Sequence, residues 1–321
     1  MSILRRNAAI IASIVLIAMS LCGGAFAETI DQVKLLDRSA AFTFSIMSDN
    51  KGDSPASRQE FARMALWIKE ADCKFVIGMG DLVKKGFRND FLDLLKSDNW
   101  WHSHFYPCVA DGENEYYGKG QDDWGAGAPI LDTVDLRSRD GVTVRPNGCE
   151  YYAKVRVRSY TVHIVMPHFS DSPPDPAIAF RAESRQWMVD TLKSIKKGPR
   201  DIVVVGAHSI SGSWIEVLSN NHRQVLIDKA DLVLSATTHF WQKIDTKGHE
   251  WEGPLCINTG SVTYPAPGSK PGYVQVRVMD NPRWLVVEYV DCAAEKRAVQ
   301  PAERCYVKEI GGPIYAADLA H

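Results

Sequence analysis

Two stretches of this chain run the same course: apolar, strand-like residues that break at an aspartate and a glycine. The first is Phe42-Thr43-Phe44-Ser45-Ile46-Met47-Ser48-Asp49-Asn50-Lys51-Gly52 and the second is Phe75-Val76-Ile77-Gly78-Met79-Gly80-Asp81-Leu82-Val83. Carboxylates just beyond the carboxyl ends of buried strands are the material of a metal site on an α/β sheet, because ligands of such sheets collect in the crevice there. Further polar positions lie at the ends of runs along the chain: Glu113-Asn114 in a glycine-rich stretch, His208 after Val203-Val204-Val205, and His239 after Leu232-Val233-Leu234. Carboxylate, carboxamide and imidazole donors suit divalent Mn, Fe, Zn or Ni, and no thiolate belongs to the pattern. Taken singly, each residue has an ordinary use, Asp49 as a helix cap, Asp81 or Asn114 in a turn, His208 or His239 as a satisfied core histidine. Their joint order is what carries information.

That order of Asp, Asp, Asn, His and His resembles the calcineurin-like metallophosphoesterases over residues 41–261. The family pattern of D-x-H, G-D, G-N-H-D/E, a lone His after a strand and G-H-x-H is met here by Asp49-Asn50-Lys51, Gly80-Asp81, Gly112-Glu113-Asn114-Glu115, Ala207-His208 and Ala236-Thr237-Thr238-His239. Tyr106-Pro107, Gln186-Trp187 and Asn258-Thr259-Gly260-Ser261 look like the family's supporting context. The resemblance implies metal-dependent hydrolysis of a phosphate monoester or diester, with a phosphorylated small molecule as substrate and one or two divalent cations as cofactor. It implies Asp81 as the bridging ligand, Asp49 and His239 on one metal, and His208 with the Asn114 amide on the other.

Three family positions are altered. Lys51 stands where a metal-binding His is expected, and a protonated amine has no lone pair to donate. Thr237 replaces the first His of the last motif, and Glu113-Asn114 replaces an Asn-His pair. Two readings follow. In one, Lys51 supplies a fixed positive charge or a phosphate contact, Asn114, Glu113 and His168 are the catalytic candidates, and Glu113, Glu115 or His168 serves as general acid. In the other, the chain is a non-catalytic or weakly metal-binding member of the fold that binds a phosphorylated ligand.

The elements that must position these residues alternate between strand and helix, the signature of α/β architecture. The resemblance narrows this to a layered α-β-β-α sandwich of mixed sheets flanked by helices. Ser57-Arg58-Gln59-Glu60 has capping-box character ahead of an apolar helical run at 61–68, and a second helix is expected at 91–95. A brief strand is expected at 106–109, followed by a long loop or lid at 111–148 that would set substrate choice. Strands follow at 151–157, 160–166, 202–205 and 232–234, with a helix at 183–195; late strands are expected at 244–251, 272–278 and 284–290.

Residues 1–27 read as a secretory signal peptide. Arg5 and Arg6 precede an apolar run at 8–21, and Ala25-Phe26-Ala27 offers a small-x-small cleavage site. The run is shorter than the ~20 residues of a bilayer span, so an exported protein, periplasmic or extracellular, with no membrane anchor after cleavage is expected. The phosphoesterase-like domain is then 28–291, with a C-terminal tail at 292–321. Cleavage removes two of 37 basic and none of 39 acidic residues, moving the charge from −2 to about −4. No nucleic-acid-binding surface is evident from that balance. Six cysteines remain, with Cys292 and Cys305 the expected bridge and Cys73 a buried small hydrophobe.

Overall fold

In the strand Asp201–Ile210, Ile202 and Val204 face one apolar cluster while Val203, Val205 and Ala207 face another. A valine run buried on both sides is what a central strand with a layer on each face demands. The computed structural model describes residues 40–50, 54–83, 90–110, 129–146, 148–169, 180–210, 213–244, 253–299, 306–312 and 314–315. The expected leader, Lys51, Glu113, Asn114, Glu115 and Cys305 lie outside the described residues.

The chain opens with β1 (Ala40–Met47), α1 (Pro55–Glu70), β2 (Cys73–Gly78), α2 (Asp90–Ser97), α3 (Asn99–His104) and β3 (Phe105–Pro107). β1, β2 and β3 pair in parallel, and Phe44 stacks on Phe75 across the first pair at 4.8 Å. The cap of α1 lies three residues before the expected one: Ser54 Oγ accepts the Ser57 N–H at 3.1 Å, and Pro55, which has no N–H to leave unpaired, fills the first helical position. Phe61, Met64, Trp67 and Ile68 then give α1 one buried face.

The middle of the chain adds α4 (Pro129–Thr133), β4 (Val142–Val144), β5 (Tyr151–Val157), β6 (Tyr160–Met166), α5 (Ala182–Ser194), β7 (Asp201–Ile210), α6 (Ser213–Glu216), α7 (Asn220–Lys229), β8 (Leu232–Ala236), β9 (Trp241–Lys243) and β10 (Leu255–Thr259). The last part supplies β11 (Gly272–Met279), β12 (Trp284–Asp291), β13 (Ala298–Val299), β14 (Tyr306–Glu309) and β15 (Ile314–Tyr315). One sheet runs β15-β14-β12-β11-β1-β2-β3, with β13 on β12, and the other runs β4-β5-β6-β7-β8-β10-β9. Both are mixed, parallel at β1-β2-β3 and β6-β7-β8-β10 and antiparallel elsewhere.

The larger apolar cluster joins Phe42, Phe44, Val274 and Val276 of the first sheet to Val162, Ile164, Val204 and Leu234 of the second, and extends to α1 and α2. The smaller one packs Val165, Val203, Val233 and Cys256 against Met188, Val189 and Leu192 of α5 and Leu226 of α7. The result is the expected α-β-β-α sandwich. No helix among the described residues is long and apolar enough to cross a membrane.

Three expectations are corrected. Residues 129–146 are not an irregular loop: they carry α4, a 3₁₀ turn at Leu136–Ser138 and β4, and Arg139 pins them by donating to the carbonyls of Phe105 at 2.7 Å and Val134 at 2.6 Å. A short strand lies at Trp241–Lys243, where Trp241 stacks on Tyr289 at 5.3 Å, and the strand expected at 244–251 lies outside the described residues beyond Ile244. The segment after Asp291 is no separate tail, since β13, β14 and β15 extend the first sheet. The second core strand before the site does not stop at Val205 but continues to Ile210, carrying His208 within it. Cys73 is the buried small residue expected, bonded to Ser45 at 3.1 Å, with burial pushing its thiol up to about 11. Cys292 is also buried.

Candidate metal centre

The carboxyl ends of β1, β2, β7, β8 and β10 meet along one edge of the sandwich. β1 and β2 stay in register past their ends, where Met79 N–H donates to the Met47 carbonyl at 2.7 Å and Asp49 N–H to the Gly80 carbonyl at 3.1 Å. The end of β1 is also tied across to the second sheet. Ser48 Oγ lies 2.9 Å from Thr259 Oγ1 and donates to the Gly260 carbonyl at 2.5 Å, and Val262 N–H donates to the Ser48 carbonyl at 3.1 Å. Ser261 Oγ donates to the Asp49 carbonyl at 2.9 Å.

The backbone there is held in unusual conformations. Seven non-glycine residues among those described have positive φ, and four of them are Asp49 (52°), Asp81 (54°), Thr237 (81°) and His239 (60°). A β-branched residue such as Thr237 seldom sits there, and conformations of this kind cost about 1–3 kcal/mol each unless their surroundings enforce them. The completely buried Asn258 enforces one turn: its amide donates to the Phe240 carbonyl at 2.6 Å and to Thr238 Oγ1. Gly80, at φ +89°, lets the chain pass His208; a Cβ there would lie 3.0 Å from the imidazole Cγ and Nδ1.

These devices bring together Asp49, Asp81 and His208, all buried, whose donor atoms lie within 4.8 Å of one another. Ligands bound to one ion at about 2.0–2.6 Å are separated by no more than about 4–5 Å, so the trio satisfies the distance a shared cation requires. His208 Nε2 is 3.5 Å from Asp81 Oδ2, and its Nδ1 is 2.6 Å from the Met79 carbonyl. A carbonyl accepts only, so Nδ1 carries a proton, and Nε2 is the ring nitrogen that faces the carboxylates. That backbone hold is the orientation a metal-binding imidazole needs. His239 joins through Asp49, its Nε2 3.0 Å from Asp49 Oδ1. It lies outside the mutually close trio.

Of the residues expected at the site, the structure thus gathers Asp49, Asp81 and His208, with His239 attached through Asp49. His168 is placed differently from a general acid. It is buried, its Nδ1 is 3.2 Å from the Val109 carbonyl, its backbone N–H points to Glu150 Oε1 at 3.4 Å, and burial lowers its pKa to about 4. A neutral imidazole donating to a main-chain carbonyl ties β3's exit to the end of β6 and holds no labile proton at neutral pH. His104, on α3, stacks on Trp100 and its Nδ1 lies 2.8 Å from the Trp100 carbonyl. Sequence reasoning missed the hold of Met79 on His208, the closeness of Gly80, and the aromatic residues Phe240 and Tyr264 beside His239. Only the last left a sequence signal, a Phe directly after the motif histidine.

No family model and no curated protein matches the sequence. Among solved structures the chain is similar to GAP50, the anchor in the inner membrane complex of Plasmodium, with 15% identity, 85% of this chain and 89% of that chain covered, and a TM-score of 0.53. It is also similar to a 5'-nucleotidase from Candida albicans, with 12% identity, coverage of 79% and 52%, and a TM-score of 0.44. Yfce, a phosphoesterase from E. coli, matches with 12% identity, coverage of 84% and 100%, and a TM-score of 0.34. At such identity the first of these is a likeness of fold.

Proposed function

We propose that this chain, which has the calcineurin-like metallophosphoesterase fold, hydrolyses phosphate esters with a divalent cation held by Asp49, Asp81 and His208. The observation that carries the reading is the convergence of those three donors at strand ends from both sheets. The donor set fits an ion: two carboxylates and an imidazole nitrogen, buried, match Mn, Fe, Zn or Ni better than a purely oxygen-seeking cation. Two adjacent buried carboxylates also call for positive charge. When bound, such an ion polarises a phosphoryl oxygen and makes bound water more acidic.

The chain's own residues do the rest. Asp49, fixed by the Gly80 carbonyl at its N–H and by Ser261 at its carbonyl, keeps its carboxylate at one place in the crevice. His208 is oriented by Met79, and His239 holds Nε2 against Asp49 at the less buried edge. Lys51 and the Glu113-Asn114 pair belong to this reading as a fixed cation or phosphate contact and as the acid and amide ligand. The protein is exported through residues 1–27 on the same reading.

A second reading, a non-catalytic member that binds a phosphorylated ligand, is favoured by Thr237 standing at a ligand position. One experiment separates the two. Hydrolysis of phosphomonoesters and diesters is measured across Mn, Fe, Zn, Ni and Mg for the wild type and Asp81→Asn. Loss of a shared ligand is expected to lower kcat/KM by about 10³-fold, several kcal/mol of charge stabilisation. Turnover that survives the substitution overturns the catalytic reading, and binding of phosphate without turnover establishes the second.

A further inference from the structure

Three large apolar side chains are exposed among the described residues: Leu66, Phe240 and Tyr264. Scattered surface apolar residues are ordinary, but two of these three lie beside His239. Phe240 directly follows His239 and is 40% exposed; Tyr264 is 57% exposed, with its ring 5.2 Å from the His239 ring at 77°.

The backbone beneath Tyr264 is pinned on several sides. Its N–H donates to Ser261 Oγ at 2.8 Å, the same hydroxyl that holds the Asp49 carbonyl. The Thr263 carbonyl accepts from Ser57 Oγ at 3.1 Å, and Ala266 N–H donates to the His239 carbonyl at 3.4 Å. Pro265 and Pro267 restrict the chain further. The Phe240 carbonyl is held by the Asn258 amide at 2.6 Å. Rigid main chain presenting exposed rings is a preorganised contact surface, because little entropy remains to be lost when a ligand covers it.

Resting on the phosphoesterase reading above, we infer that Tyr264 and Phe240 form an aromatic rim of the metal centre that takes the alcohol part of the substrate, and that the preferred ester carries a flat aromatic group there. A ring laid on Tyr264 would leave the phosphoryl group on the His239 side, facing Asp49. Offset or edge contact between rings gives a preference that an alkyl group of similar area lacks.

The test pairs turnover with binding. Phenyl phosphate and methyl phosphate are hydrolysed by the Mn-loaded wild type, Tyr264→Ala, Tyr264→Phe and Phe240→Ala. The intrinsic difference between the leaving groups cancels in the ratio of variant to wild type. Phenyl selectivity is expected to fall about tenfold in Tyr264→Ala and less in Phe240→Ala, and to persist in Tyr264→Phe. Calorimetry with phenyl-, cyclohexyl- and methylphosphonate reads the same surface without chemistry. Phenylphosphonate should bind tightest, and lose about tenfold in Tyr264→Ala while methylphosphonate is unchanged. Selectivity untouched in both alanine variants, or equal binding of phenyl and cyclohexyl ligands, overturns the rim and leaves the phosphoesterase reading standing. Failure of all esters to turn over, with the phosphonate preference still dependent on Tyr264, refutes hydrolysis and leaves the rim standing.

Discussion

Gly80→Ala is the substitution that most sharply probes how the fold holds its donors. At φ +89° an L residue costs about 1–3 kcal/mol in the backbone alone. The new Cβ would lie 2.6 Å from the Ala110 Cβ and 3.0 Å from the His208 ring, and overpacking of this kind adds about 1–3 kcal/mol. The sum, about 2–6 kcal/mol, is a large share of the total stability of a domain. Gly268→Ala separates the two contributions, because Gly268 has φ +83° with nothing within 4 Å of a Cβ. Urea unfolding should therefore show a modest loss for Gly268→Ala and a loss larger by at least 1 kcal/mol for Gly80→Ala. Displacing His208 also strains its 2.6 Å bond to Met79, and disturbing such a support lowers metal affinity by about 10–100-fold. Calorimetric titration with Mn²⁺ reads that second effect; Gly268→Ala should leave it unchanged. Equal stability of the two variants, or Mn²⁺ affinity in Gly80→Ala within twofold of wild type, refutes the argument that Gly80 exists to admit His208.

Two other outcomes follow from buried ionisable groups. Burial holds His168 neutral in the folded state down to about pH 4, while the unfolded chain takes up a proton below about 6.5. The folded state therefore keeps its full stability above pH 6.5 and loses about 3 kcal/mol from this group as the pH falls toward 4; in His168→Gln, whose amide can still donate to Val109, that part of the slope of unfolding free energy against pH should vanish, and an unchanged slope contradicts the assignment. Asp231 is fully buried, paired with Lys197 at 2.8 Å and accepting the N–H groups of Val203 and Gly311 at 2.9 Å each. Asp231→Ala would strand Lys197 and remove the negative charge that favours the buried Lys308, costing about 3–5 kcal/mol, and should lower Tm by about 10 °C in a calorimetric scan; a change under 2 °C would show the pair to be dispensable.

The part of the site legible in the sequence is the part set by local pattern. Asp49 and Asp81 follow apolar runs that break sharply, and His208 and His239 follow the valine- and leucine-rich cores of β7 and β8. What the pattern could not carry is tertiary: the Met79 carbonyl that orients His208, the approach of Gly80, and the positive φ of Thr237 and His239. Among the elements, α1 was legible from its apolar spacing but not its cap, because Ser54-Pro55 competes with Ser57 and proline at the first turn decides the matter. The strands after Asp291 were hidden because such short strands in a polar segment have no periodicity to read. His168 looked chemical because it follows a strand; burial, which makes it structural, is not written in its neighbours.

The central claim is that Asp49, Asp81 and His208 hold one divalent cation. Crystals of the protein grown with Mn²⁺, examined by anomalous diffraction, test it most directly. A peak bonded to oxygens of both carboxylates and to His208 Nε2 at about 2.0–2.3 Å is the predicted result. No peak at these residues in saturating Mn²⁺, or one bound elsewhere, would contradict it.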